Sequence, residues 1–229
     1  MLEFLSLKQE VFGLDISDRS LKIAKLKKRG EFLSLASFGE TEIKSAGIIK
    51  QGEIKKEALF IKILKQALND VKGEKLKTKY LIASLPEEKT LLQVIKIPLI
   101  NKEELKSAVI YEAQNHIPLP IEDVYLDFQI IPPFFNKQDY YEALIVALPK
   151  KIVDPYVSCF KKAGLFPKAL EIEPQAIVRA LIKVKEDKSS SSAEPDDRKV
   201  RREKRTEFSS NPFAAAREGD LSCLNLVNQ

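Results

Sequence analysis

The first forty residues hold three strand-like runs in close succession: EVFGLDI (10–16), LKIAKLK (21–27) and FLSLASFG (32–39). The turns between them are short, and Gly30 in the second is free to adopt a positive φ. Strands joined this tightly pair as antiparallel hairpins. The period then changes. In EIKKEALFIKILKQALNDVKG (53–73), Ile54, Ala58, Ile61, Leu64, Leu68 and Val71 fall on one helical face, and Gly73 offers a C-terminal stop. KYLIASL (79–85) is a strand again and continues the sheet. Strands, a helix and then a strand place the chain in the α/β class.

A second unit follows. LLQVIKI (91–97) reads as a strand. Asn101 and Glu104 form the N-x-x-E start of the helix KEELKSAVIYEAQ, and Pro118 and Pro120 in HIPLP end it. VYLDFQII and YEALIVALP are strands around the loop PPFFNKQDY. KKIVDPYVSCFKKAGL is a helix in which Pro155 implies a late start or a kink. KALEIE is a strand, and Pro174 opens the helix PQAIVRALIKV at its first turn. Strand, helix, strand, strand and helix make a compact module inserted after the first sheet.

From about Val184 the pattern stops. KEDKSSSSAEPDDRKVRREKR has a serine run and dense mixed charge, with too little apolar surface to offset its ordering entropy. It reads as a disordered linker. The basic run RKVRREKR is flanked by EPDD and TEF, which neutralise it. The last stretch, FSSNPFAAAREGDLSCLNLVNQ, has room for a short helix and an apolar end.

The net charge is +5. Residues 184–229 hold nine basic and nine acidic side chains, so the excess lies in residues 1–183, with 29 basic against 24 acidic. That suits a lysine-rich solvated surface better than a nucleic-acid or membrane patch. Cys159 and Cys223 form no CxxC, which fits a reducing compartment. No basic leader precedes an apolar run at the N-terminus, and the most apolar stretch, TLLQVIKIPLI, is too short to span a bilayer. The expectation is a soluble cytoplasmic protein.

Asp15 and Lys22 have the layout D-x-x-x-x-x-x-K across the first hairpin. An aspartate beside a turn of small residues suits a nucleotide-bound metal, and the lysine supplies a point charge for phosphate. An ordinary exposed hairpin has the same residues. His116 is the sole histidine and has no ligand partners in the sequence, so a packing or helix-ending role is expected and no metal site. No nucleophile elbow is present. Asp123 and Asp127 sit at strand spacing, either as paired carboxylates or as solvated edge charges. PPFF is core or an exposed apolar patch.

Four stretches carry a resemblance to the PilM family of type IV pilus assembly proteins, relatives of the division protein FtsA. GLDISDRSLKIAKL looks like the family's opening G-(I/L)-D-I-G-S-S-S-(I/V)-K. AGIIKQGEI looks like its G-x-I-x-x-G-E-I turn. YEAQNHIPLPIEDVYLDFQII is similar to E-A-x-x-x-I-P-(F/L)-P-x-x-E-V-x-L-D-(F/W)-x-(I/V). LIVALPKKIVDPYVSCFKKAGLFPKALEIEPQAIVRAL resembles the helix and returning strand that follow. The resemblance implies an actin-like (ribonuclease H-like) subdomain over residues 1–84 and an inserted SHS2-type strand–helix–strand–strand module over 85–167. It implies a return to the core over 168–183, with 184–229 as linker and tail.

It also implies a partner and a site. PilM-like proteins bind the cytoplasmic N-terminal peptide of an inner-membrane protein, PilN. The expected role is therefore a non-enzymatic adaptor at the cytoplasmic face of the inner membrane. The expected groove lies between first subdomain and insert, with KYLIASL and LLQVIKI as walls. The alternative is an actin-type ATP-binding assembly or division protein, using Asp15, Ser17 and Lys22 with ATP and Mg. Three departures weigh against nucleotide. Ser17 replaces the family's glycine. Asp18 brings a carboxylate that costs on the order of 1–4 kcal/mol beside a phosphate, which Arg19 could offset. The second phosphate turn of the actin fold has no counterpart after Leu181. A chain without that half is also expected to self-associate. The end LNLV is similar to the PilN core I-N-L-L-P, by chance or as a tethered mimic.

Overall fold

Alternation along the strands builds the large sheet. The computed structural model describes residues 10–45, 47–131 and 139–181. In β1 (Phe12–Ile16), Phe12, Leu14 and Ile16 are buried, while Gly13 and Asp15 lie on the opposite face. β2 (Ser20–Arg29) and β3 (Phe32–Glu42) extend the hairpin antiparallel, and a bulge shifts the register between Lys25 and Leu26. β4 (Ile49–Lys50) and β5 (Glu53–Ile54) make a small separate hairpin. After α1 (Glu57–Asn69), β6 (Lys72–Gly73) pairs with β3, and β7 (Tyr80–Leu85) lies parallel to β1.

The second unit is β8 (Leu91–Pro98), α2 (Lys102–Gln114), a 3₁₀ turn (Ile121–Asp123), β9 (Val124–Ile131) and β10 (Tyr140–Pro149). Its three strands form an antiparallel sheet in the order β8-β10-β9. The chain then makes α3 (Lys150–Lys162), β11 (Phe166–Ile172) and α4 (Glu173–Leu181). β11 returns to the large sheet parallel to β7, giving the order β11-β7-β1-β2-β3-β6.

Two cores result. The larger packs α1 and α3 on the face of the big sheet that carries Leu14, Leu21, Leu81 and Leu170. The smaller joins α2 to the small sheet through Val109, Ala113, Ile95 and Ile145. β10 serves both: Ala143, Ile145 and Ala147 face the small core, while Val146 and Leu148 belong to the large one.

Several local expectations change. The buried face of α1 is Phe60, Leu64 and Ala67, and Ala58 is exposed. Leu64 of the expected face is in the core, Ile54, Ile61, Leu68 and Val71 pack against it, and the Phe60 ring, edge-on to Tyr156, joins them. Gly73 is no helix stop. It sits in β6 at φ +90°, against β3, where a Cβ would lie 2.4 Å from the Ala36 carbonyl oxygen. Asn101 precedes α2 but its side chain makes no capping hydrogen bond. α3 starts at Lys150, so Pro155 lies inside the helix and delays nothing. Asp123 belongs to the 3₁₀ turn, so it shares no strand face with Asp127. The PPFF loop and the linker and tail fall outside the described residues.

Candidate functional site

The first hairpin brings Asp15 and Lys22 face to face. They are register partners, with Lys22 Nζ 3.8 Å from Asp15 Oδ2, and both are substantially exposed. A pair this open and this long contributes little stability. On its other side Asp15 is paired in register with Ser84 of β7, and Ser84 with Glu171 of β11. Glu171 is buried and bonded to Arg179 of α4. A polar row therefore crosses the large sheet, and within it Ser84 Oγ is buried without a hydrogen-bond partner.

The turn itself uses up its donors. The Ser17 N–H donates to the Ser20 carbonyl at 3.0 Å. Ser17 Oγ accepts the N–H of Ser20 at 3.0 Å and that of Arg19 at 3.4 Å. Ser17 is not among the residues with positive φ, so its side chain replaces glycine without strain. Asp18 points away to the β4–β5 turn. Its Oδ2 accepts the N–H of Gln51 at 2.8 Å and its Oδ1 that of Gly52 at 3.1 Å. Gln51 and Gly52 both have positive φ, the pattern of a type I′ hairpin turn. Three of the amides that would cradle a phosphate are engaged inside the turn, and the fourth residue contributes an anion. These residues fit a nucleotide phosphate poorly. Asp18, which the sequence presents as an obstacle, is a strut between two hairpins.

The strut continues into the core. Tyr156 of α3 is fully buried and donates its hydroxyl to the Gly52 carbonyl at 3.0 Å. Burial, reinforced by Asp18 and Glu88, pushes its phenol well above the usual range. Pro86 and Glu88, in the loop from β7 to β8, close over Gly52. Glu53 is bonded by Lys55, and Lys89 lies 3.3 Å away. Those two lysines hold the Glu53 carboxyl below its ordinary value. The β4–β5 hairpin is thus clamped to the segment that leads into β8.

The two expected groove walls differ. β7 is hydrogen-bonded on both sides, to β1 and β11, so it has no backbone to offer a peptide. β8 is an edge: among the described residues it pairs with β10 alone. Its outward face carries Leu92 and Val94, 44% and 48% exposed, followed by Lys96 over the Tyr140 ring. Leu92 stands opposite Val146, at the junction of the two cores. Further across the same sheet, Asp127 on β9 is half-buried, and burial raises its carboxyl against the lowering effects of the Phe128 N–H and Lys106. His116 packs as expected, with Nδ1 3.1 Å from Gln93 Nε2 on β8 and Nε2 3.3 Å from Glu112. The sequence signal for an open β8 edge is faint: LLQVIKI alternates, but alternation cannot say which strand ends up outermost.

The profile of a family described as type IV pilus assembly protein PilM matches residues 13–195. Among solved structures, the PilM-PilN type IV pilus biogenesis complex is similar at 25% identity and a TM-score of 0.65. The match covers 75% of this chain and 50% of that one, so this chain spans about half the length of that relative. The cytoplasmic domain of EpsL, an inner-membrane component of the type II secretion system of Vibrio cholerae, is similar at 10% identity and a TM-score of 0.46. That match covers 72% of this chain and 57% of the other. The expected α/β, actin-like fold is the observed one.

Proposed function

The chain belongs to the PilM family of type IV pilus assembly proteins, and from that premise we propose that it is a non-enzymatic adaptor in pilus assembly. In this reading it binds the cytoplasmic N-terminal peptide of a PilN-like inner-membrane protein. The observation that carries the proposal is the free edge of β8 with Leu92 and Val94 alternating on its outer face. An extended peptide adds to such an edge as a fourth strand. Main-chain bonds give affinity, and pockets beside the alternate side chains give selectivity. No described helix is long and apolar enough to cross a membrane, so the proposed place at the inner-membrane face comes through the partner.

Nucleotide binding through Asp15, Ser17 and Lys22 is the weaker reading, because the turn amides are already engaged. Titration of the full chain into a labelled peptide from the N-terminus of the neighbouring PilN-like protein, followed by fluorescence anisotropy, tests the adaptor role. Saturable binding is expected, unchanged by ATP and Mg. Absence of binding, or binding that requires ATP, would overturn it.

A further inference from the structure

The large sheet has helices α1 and α3 on one face. On the other, among the described residues, α4 covers the β11 and β7 side. The register defines what remains open. Phe38, Ala24 and Gly13 form one row across β3, β2 and β1. Leu35 opposite Leu26, and Leu33 opposite Lys28, form the next rows. Ala24 and Gly13 are exposed, and Leu26, Leu33, Leu35 and Phe38 are between 48% and 69% exposed. The row of Glu40, Lys22 and Asp15 borders the patch on one side. Small residues in its centre and large ones at its rim make a shallow trough.

With each large side chain about half exposed, the apolar patch comes to on the order of 500 Å². A stable interface between two copies buries about 800 Å² on each. The patch is too small to hold a second copy firmly and is sufficient for a tethered segment. Such a segment exists. α4 lies on this face and ends at the exposed Leu181, and 48 residues follow. The first 31 of these are rich in serine and charge, and the remainder holds Phe213, Leu221, Leu224, Leu226 and Val227. A chain of that length and composition spans roughly 30 Å as a random coil, more than the width of three strands. Tethering gives an effective concentration in the millimolar range, where weak apolar contact is enough. We propose that residues 213–227 dock intramolecularly on the open face of β1, β2 and β3, over Ala24, Leu26, Leu35 and Phe38.

Cys223 lies inside the proposed segment and allows a direct test in the full chain. The other cysteine, Cys159, is buried, with its thiol pushed up to about 11 by burial, and stays silent. Lys28→Cys places a thiol at the rim of the trough and leaves its apolar residues intact. Lys65→Cys on α1 places one on the opposite side of the sheet. Under mild oxidation, the Lys28→Cys chain should form an internal disulfide with Cys223 at least ~10-fold faster than the Lys65→Cys chain. The rate should not depend on protein concentration, and Leu224→Asp with Leu226→Asp should abolish the difference. Equal rates at both positions would overturn the proposal. So would cross-linked dimers whose yield rises with concentration, which would assign the face to a second copy.

Discussion

The hydroxyl of Tyr156 donates to the Gly52 carbonyl at 3.0 Å inside the core, joining α3 to a two-residue turn more than a hundred positions earlier in the chain. Replacing Tyr156 with Phe leaves that carbonyl buried without its donor. A cost of about 1–2 kcal/mol is expected, with the packing against Phe60 retained. Urea unfolding reads it directly. A loss below a few tenths of a kcal/mol would mean that water replaces the phenol.

Asp18 holds the other side of the same turn through the N–H groups of Gln51 and Gly52. Asp18→Ala should destabilise by about 1–2 kcal/mol, and Asp18→Asn, which keeps one acceptor, by less. Because Gln51 sits at positive φ, hydrogen exchange at 49–54 should rise in the Ala variant before the rest of the sheet is affected.

Gly73 and Gly30 separate two effects of added side chains. Both have positive φ, but a Cβ at Gly73 would collide with the Ala36 carbonyl, whereas Gly30 has open space around it. Gly30→Ala should cost about 1 kcal/mol, from conformation alone. Gly73→Ala should cost about 3 kcal/mol or more, because strand β3 itself must shift. Equal losses would mean that β3 yields to the added methyl at no cost.

The element order was readable because it rests on period. Phe12, Leu14 and Ile16 alternate, and Ile152, Val153, Tyr156, Cys159 and Phe160 recur at helical spacing. Long-range packing was not. Nothing in KGEKLK announces that Gly73 lies under Ala36, and nothing local shows that Phe60 is buried on α1 while Ala58 is exposed. Asp18 was legible only as a charge in a phosphate-like turn, since its partners lie 33 and 34 residues away. β7 and β8 both read as strands. β7 has no free edge because β11 returns beside it, and β8 keeps one because β9 takes the other side of β10.

Asp127 gives a pH signature. Burial raises its carboxyl, so the folded chain holds that proton more tightly than the unfolded one. Stability should therefore fall as pH rises from the ordinary carboxylate range through the raised value. Asp127→Asn can keep the bond from the Phe128 N–H and removes the penalty. It should raise the urea midpoint at pH 7. The gain should shrink at pH 3, where Asp127 is protonated folded or unfolded. A variant less stable than the parent at pH 7 would show that the ionised carboxylate is favoured in place.

The central claim is that the free edge of β8 takes the partner peptide. Hydrogen–deuterium exchange of the full chain, with and without the PilN-like N-terminal peptide, tests it at the strand itself. Uptake across residues 91–98 should fall when peptide is bound, while 124–131 on the opposite edge stays unchanged, and Val94→Asp should remove the effect. Protection on β9 instead, or saturable binding with no change in β8, would contradict it.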